Sequence, residues 1–201
     1  MKTYRKTSNK KYQFIFLALF LLIPSLAQAH PNHGSATGLV NGLAHPLTGL
    51  DHLCAMIAVG LWAAQLGGRA RWAVPLAFVS VMSLGAVLGR NEPGLPFVEQ
   101  GIVASVLILG ILIAAALRLP LAASVTIVGL FALFHGYAHG AEMPVNISGF
   151  TYGIGFVAAT AGLHLCGIGL GLTAQKLATE KMVRYAGGII AACGLYLVLV
   201  P

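Results

Sequence analysis

Two short segments of the sequence bring histidines and carboxylates together at spacings that suit a metal ion. The six residues are His45, Asp51 and His52 in HPLTGLDH, and His135, His139 and Glu142 in FHGYAHGAE. Neutral imidazole and carboxylate form a ligand set that suits Ni²⁺, Co²⁺ or Zn²⁺. Because each helical residue advances by about 100°, the second set would share a helix stripe about 60° wide. The second segment therefore predicts a preformed metal-binding face.

The first segment needs a break in its helix to act in the same way. His45 and His52 would share one face of a continuous helix, but Asp51 would point about 100° away from His52. Pro46 removes a backbone donor and Gly49 permits a bend, so we expect a broken helix. A break would turn Asp51 towards the histidines and expose backbone carbonyl oxygens as further ligands. Asp51 is then expected either to bind the ion or to orient a histidine by accepting its other ring N–H.

Four more residues are weaker candidates for metal contacts: His30, His33, Glu99 and His164. The two N-terminal histidines could scavenge ions, although Pro31 removes a backbone amide that a square-planar site would use. Glu99 is either an interfacial residue or a group that attracts cations. His164 either passes an ion inward or hydrogen-bonds a neighbouring helix.

The composition places this chemistry in a lipid bilayer. Of the 201 residues, 58% are hydrophobic and 8% are charged, whereas soluble domains carry about 25% charged residues. Five of the twelve basic residues lie within residues 1–11, and without them the net charge of +7 falls to +2. No basic stripe is then left to follow a nucleic-acid backbone. The expected partners are the lipid bilayer and a divalent metal ion, with no nucleic acid, and the oligomeric state stays open.

The N-terminus has the layout of a secretory signal peptide. A basic region at residues 1–11 precedes an apolar run at 14–23, and Ala27, Gln28 and Ala29 form an A-x-A cleavage motif. We expect cleavage after Ala29, with an uncleaved signal anchor as the alternative. Residues 1–29 are thus predicted to be a signal peptide, and residues 30–201 a transmembrane domain.

Six apolar stretches follow the signal, each close to the ~20 residues that a helix needs to cross a bilayer. They are residues 38–66, 72–89, 97–117, 121–140, 149–172 and 183–200. The predicted fold class is an all-α integral membrane protein with six transmembrane helices after a cleavable signal peptide. Cys54, Cys166 and Cys193 lie in these stretches, and we expect small buried hydrophobic residues rather than disulfide partners.

The basic residues of the loops predict the orientation. If the mature N-terminus is outside, the loops after the first, third and fifth helices face the cytoplasm. Arg90 alone lies in the outer loops, whereas six basic residues lie in or beside the cytoplasmic loops: Arg69, Arg71, Arg118, Lys176, Lys181 and Arg184. This predicts a multi-pass protein of the bacterial inner membrane with a periplasmic N-terminus. The six strong candidates then converge on the outer half, where unpaired charges cost at least a few kcal/mol each.

From the residues alone, two other functions stay open. Three histidines and a carboxylate could hold a catalytic Zn²⁺ in an intramembrane hydrolase, with Asp51 or Glu142 as the general base. Histidines facing each other on the first and fourth helices could ligate a b-type haem, although the nearby carboxylates suit such a pocket poorly. The sequence contains no glycine-rich phosphate-binding loop that would indicate ATP use.

Both segments resemble the signature sequences of the HupE/UreJ family of nickel/cobalt permeases. HPLTGLDHLCAMIAVGLWAA carries the His-x5-Asp-His pattern, FHGYAHGAE carries the FHG-x-AHG-x-E pattern, and GLHLCGIGLG is also similar to the family. The resemblance implies secondary uptake of Ni²⁺, with Co²⁺ as the second candidate, to supply hydrogenase or urease. It also implies that the metal is a transported substrate and that no cofactor is permanently bound.

Overall fold

The computed structural model describes residues 35–91, 94–143, 148–177 and 180–200. This part of the chain is all-α and contains seven helices. They are α1 Ser35–Thr48, α2 Leu50–Leu66, α3 Ala70–Asn91, α4 Val98–Ala114, α5 Leu121–Ala141, α6 Gly149–Leu177 and α7 Glu180–Leu199. The expected signal peptide, His30 and His33 lie outside the described residues.

Most of these helices are long and apolar enough to cross a bilayer. α3, α5, α6 and α7 each meet that requirement, and the bent pair α1 and α2 makes a fifth span if it counts as one. α4 is a shorter apolar helix of 17 residues. The prediction of an all-α, multi-pass membrane protein is therefore confirmed, with four or five spans by length and composition.

The predicted stretches coincide with the helices to within a few residues. The largest difference is at the end of α6, which reaches Leu177 rather than residue 172. The added residues are TAQKL, most of which favour helix, so the helix continues after its apolar part ends.

The first predicted stretch is broken at Gly49. α1 ends at Thr48, α2 begins at Leu50, and the two helices meet at a bend of 83°. Gly49 has extended backbone angles (φ −95°, ψ 126°), which interrupt the helix. The sequence predicts a break at Pro46 and Gly49 together, but Pro46 lies inside α1. The extended glycine, rather than the proline, therefore ends the helix.

α2 forms the centre of the bundle. Every residue from Cys54 to Gln65 is buried, and α2 contacts α1, α3, α4, α6 and α7. These neighbouring helices therefore cover this part of α2 on every side. Asp51 and His52 lie in the first turn of α2, so the helices that cover α2 also fix the position of these two residues.

Close contacts at glycines join α5 to α3. Gly136 and Gly140 on α5 lie against the backbone carbonyl oxygens of Met82 and Ala86 on α3, respectively. A Cβ atom at either glycine would overlap that oxygen, so only glycine lets the helices approach this closely. A candidate histidine directly precedes each of these glycines in the sequence, and the helix contact holds both histidines in place.

The expected burial is wrong for one of the three cysteines. Cys54 is buried and Cys193 is partly buried, and their free thiol Sγ atoms lie 3.7 Å apart. Cys166 is exposed on α6. An apolar stretch of a membrane protein does not predict burial in the protein, because its outward side chains contact lipid tails that are equally apolar.

Candidate metal site

The structure brings the six strong candidates together at one end of the bundle. They come from the α1–α2 break and from the last turns of α5. The ring centroid of His139 lies 4.5 Å from that of His45 and 4.4 Å from that of His52. The ring of His52 lies 4.9 Å from that of His135. These four residues are called the histidine cluster below, and His139 lies at its centre.

Three side chains of this end are close enough to share one cation. His45, His139 and Glu142 present ligand atoms that all lie within 4.8 Å of one another, and His45 Nε2 lies 3.7 Å from Glu142 Oε2. An ion held at about 2.1 Å from each ligand atom separates its ligands by at most about 4.2 Å. Small side-chain movements would therefore be enough for these three residues to contact one ion.

The cluster is exposed at one end and buried at the other. The Glu142 side chain is 58% exposed and that of His45 is 34% exposed, whereas His139 and His135 are buried. Glu142 keeps helical backbone angles (φ −84°, ψ −5°) directly after α5, so the helical periodicity behind the predicted stripe extends to it. The result is a row of ligand atoms that leads from the surface into the bundle.

Asp51 orients His52 through a hydrogen bond. Asp51 Oδ1 lies 2.7 Å from His52 Nδ1 and accepts the His52 backbone N–H at 2.7 Å. His52 Nε2 is buried and has no hydrogen-bond partner in the described part of the chain. A carboxylate that accepts one ring N–H of a histidine leaves the other nitrogen ready for a metal. Of the two roles that the sequence leaves open for Asp51, this geometry matches the orienting one.

His135 has a hydrogen-bond partner that the sequence does not indicate. Ser105 on α4 is fully buried, and its Oγ lies 2.9 Å from His135 Nε2. His135 Nδ1 and both ring nitrogens of His139 are buried without a hydrogen-bond partner among the residues that the structure describes. Buried polar atoms in folded proteins nearly always have a partner, so these nitrogens suit a cation. Ser105 lies in an apolar helix far from the histidines in sequence, which explains why no pattern reveals it.

Two phenylalanines line the buried side of the cluster. The ring centroid of Phe78 on α3 lies 5.7 Å from that of His135 and 5.1 Å from that of His164. Phe156 on α6 packs against His139 at a centroid distance of 4.1 Å. Sequence reasoning misses both residues, because a phenylalanine in an apolar stretch is indistinguishable from any other core residue.

The two weaker candidates that the structure describes do not join the group of three ligands formed by His45, His139 and Glu142. His164 on α6 is buried beyond Phe78, and neither ring nitrogen has a hydrogen-bond partner within the described ranges. Glu99 is exposed in the first turn of α4. The proposed roles of the N-terminal histidines fall outside the described residues.

The family model described as "HupE / UreJ protein" matches residues 17–197. The chain belongs to the HupE/UreJ family. Protein HupE of Rhizobium leguminosarum bv. viciae is 45% identical over 190 residues, which cover 94% of this chain and 99% of that relative. No solved structure matches the chain at a significant level.

Membership of this family decides between the classes of function that the residues leave open. HupE/UreJ proteins are metal permeases implicated in the uptake of nickel and cobalt for hydrogenase or urease, and they are not enzymes. The intramembrane hydrolase considered above is therefore wrong for this chain. Family membership shows that the chain is a transporter, and the geometry of the histidine cluster supports a more specific function.

Proposed function

We propose that this protein is a secondary transporter that carries Ni²⁺, with Co²⁺ as the second candidate, across the bacterial inner membrane into the cytoplasm. The proposal rests on one observation above all. His45, His139 and Glu142 present ligand atoms within 4.8 Å of one another, and next to them His52 and His135 each have a buried nitrogen without a hydrogen-bond partner among the described residues. Imidazole and carboxylate suit both ions, and selectivity between such ions depends on geometry rather than on ligand type.

The proposed topology has six crossings after a cleaved signal peptide of residues 1–29. The bent pair α1 and α2 forms the first crossing, and α4 forms the third. With 17 residues, α4 rises by about 26 Å, which is close to the roughly 30 Å of a hydrocarbon core. The basic residues of the cytoplasmic loops support this arrangement. It places the histidine cluster in the outer half of the membrane, with a periplasmic N-terminus.

The gradient of exposure supports an order of events. The hydrated cation first meets the exposed carboxylate of Glu142, which attracts it, and then exchanges water for the nitrogens of His45 and His139. His52 and His135 receive it from His139, because each has a buried nitrogen without a hydrogen-bond partner among the described residues. Phe78 contacts both His135 and His164, so a movement of its ring would open the way to His164. Movement of helices around a fixed site is the usual basis of alternating access in transporters.

The physiological role that fits this activity is the supply of nickel or cobalt to a metalloenzyme, hydrogenase or urease. The metal is the transported substrate in this proposal. No residue with a role in ATP binding is part of it, since the sequence lacks a glycine-rich phosphate-binding loop.

Uptake measurements on a His52 variant test the proposal. We expect His52→Ala to abolish saturable accumulation of radiolabelled Ni²⁺ in cells that lack other nickel transporters, because the variant removes a nitrogen at the centre of the path. Asn91→Ala is the matched control, since Asn91 is exposed at the end of α3 and its side chain donates to the Val87 carbonyl. Competition by Co²⁺ and Zn²⁺ measures selectivity. Normal accumulation by His52→Ala at equal membrane expression would contradict the proposal.

A further inference from the structure

We propose that Ser105 is a positioning residue that holds the His135 proton on Nε2, so that His135 meets the transported cation through Nδ1. This inference rests on the proposed function, because it assigns a role within the same site. It concerns a serine on α4, a helix that carries none of the six strong candidates.

The direction of the Ser105 hydrogen bonds follows from their two partners. The hydroxyl oxygen lies 2.6 Å from the Ile102 carbonyl oxygen and 2.9 Å from His135 Nε2. A carbonyl oxygen only accepts, and a hydroxyl has a single proton to donate. At 2.6 Å the proton has to lie between the two oxygens, since otherwise lone pairs would face each other. Ser105 therefore donates to Ile102 and accepts the N–H of His135.

This direction decides which nitrogen of His135 is free for a metal. A neutral imidazole carries its proton on one ring nitrogen and a lone pair on the other. With the proton on Nε2, the lone pair is on Nδ1, which is buried and has no hydrogen-bond partner in the part of the chain that the structure covers. A transition-metal ion binds this lone pair, and a tautomer fixed in advance spares the site a rearrangement on binding.

His52 shows the same arrangement with the two nitrogens exchanged. Its Nδ1 lies 2.7 Å from the carboxylate of Asp51, and its Nε2 is unpartnered among the described residues. The rings of His52 and His135 lie 4.9 Å apart at nearly a right angle (89°). Each ring thus has one nitrogen held by a side-chain acceptor and one left for a cation. Asp51 and Ser105 play equivalent parts on different helices.

The tautomer can be measured on the wild-type protein without metal. In protein with ¹⁵N-labelled histidine, the nitrogen spectrum distinguishes protonated from unprotonated ring nitrogens, and a His135→Gln variant identifies the signals of His135. We expect His135 to be protonated on Nε2 and unprotonated on Nδ1. The opposite tautomer in the wild-type protein would overturn the inference, whatever the variants do.

Nickel titration of Ser105 variants supplies the second measurement. We expect Ser105→Ala to weaken Ni²⁺ binding to the purified protein by about 10- to 100-fold, with a mixture of His135 tautomers. Ser105→Thr keeps the hydroxyl and should stay close to the wild type. Ser124→Ala is the matched control, because Ser124 is equally buried and its hydroxyl donates, within the described part of the chain, to backbone carbonyls alone.

The two measurements separate this inference from the function on which it rests. Ser105→Ala binding as tightly as the wild type and as Ser124→Ala would overturn the role of Ser105 and leave transport intact. A wild-type protein that binds no Ni²⁺ would overturn the proposed function, and the tautomer of His135 in metal-free protein then decides the Ser105 assignment alone.

Discussion

The four rings of the histidine cluster differ in whether a neighbouring side chain holds one of their nitrogens by a hydrogen bond. His52 and His135 each have one nitrogen held by a neighbouring oxygen, from Asp51 and Ser105 respectively. Both nitrogens of His139 are without a hydrogen-bond partner in the described part of the chain. A cation needs an unprotonated nitrogen. In His52 and His135 the neighbouring oxygen fixes which nitrogen that is before the cation arrives. His139 is free to present either nitrogen, which suits its place at the centre of the cluster.

Two substitutions of Asp51 separate orientation of His52 from direct contact with the ion. Asp51→Asn keeps an oxygen that accepts the His52 Nδ1–H, whereas Asp51→Leu leaves this N–H buried without a partner. We expect Ni²⁺ affinity to fall by about 10-fold in the first variant and by about 100-fold in the second. Titration of the purified proteins measures both. Equal losses in the two variants would show that the charge matters more than the hydrogen bond, as expected of a direct ligand.

At the scale of helices, the position of the Asp51–His52 pair at the break between α1 and α2 depends on the absence of a side chain at Gly49. Its backbone angles are open to any residue, so conformational freedom is not the reason for glycine here. A Cβ atom would lie 2.6 Å from Asp51 Oδ1 and 3.0 Å from His52 Nδ1. The hydrogen-bonded pair of side chains is folded back over the Gly49 Cα, and the 83° bend makes this possible.

We therefore expect Gly49→Ala to impair the site without unfolding the bundle. The added methyl group has to push the Asp51–His52 pair away from its position, which should weaken Ni²⁺ binding by about 10-fold or more, as other changes to the partners of metal-binding histidines do. Gly162→Ala is the matched control, because a Cβ at Gly162 meets no atom within 4 Å. Binding and thermal stability are measured for both. Unchanged affinity in a well-folded Gly49→Ala protein would contradict this account.

For the molecule as a whole, the proposed six-crossing topology depends on whether α4 crosses the membrane. α3, α5, α6 and α7 are long enough to span by themselves, and α4 is the shortest apolar helix outside the bent pair. If α4 crosses, α5 runs back to the side on which the first span is broken, which agrees with the contact between His45 and His139. Basic loop residues favour this arrangement.

Cysteine labelling of the full chain tests the crossing of α4. Leu95 precedes α4 and Leu117 follows it, and both are exposed. In a protein whose native cysteines are replaced by alanine, we expect a membrane-impermeant maleimide to label Leu95→Cys in intact spheroplasts. Leu117→Cys should react only after lysis. Labelling of both positions from the same side would contradict the six-crossing topology.

The local features of this protein follow from its sequence to a large extent. The ~20-residue apolar stretches coincide with the helices because burial in lipid forces backbone groups to bond within each segment. The stripe of His135, His139 and Glu142 follows from helical periodicity, and the break lies at Gly49, one of the two residues that predict it. These features depend on neighbours within a few positions, so the sequence suffices to predict them.

The sequence by itself therefore determined the helices, the six polar residues and the resemblance to a permease family. The tertiary structure alone decided which atoms meet. It placed Ser105 against His135, Phe78 between His135 and His164, and the Asp51–His52 pair over Gly49. Ser105 and Phe78 act across helices from distant parts of the chain, and a hydrogen bond or ring contact between helices imposes no spacing on the sequence. Packing of the whole bundle is what turns six separate polar residues into one ordered row.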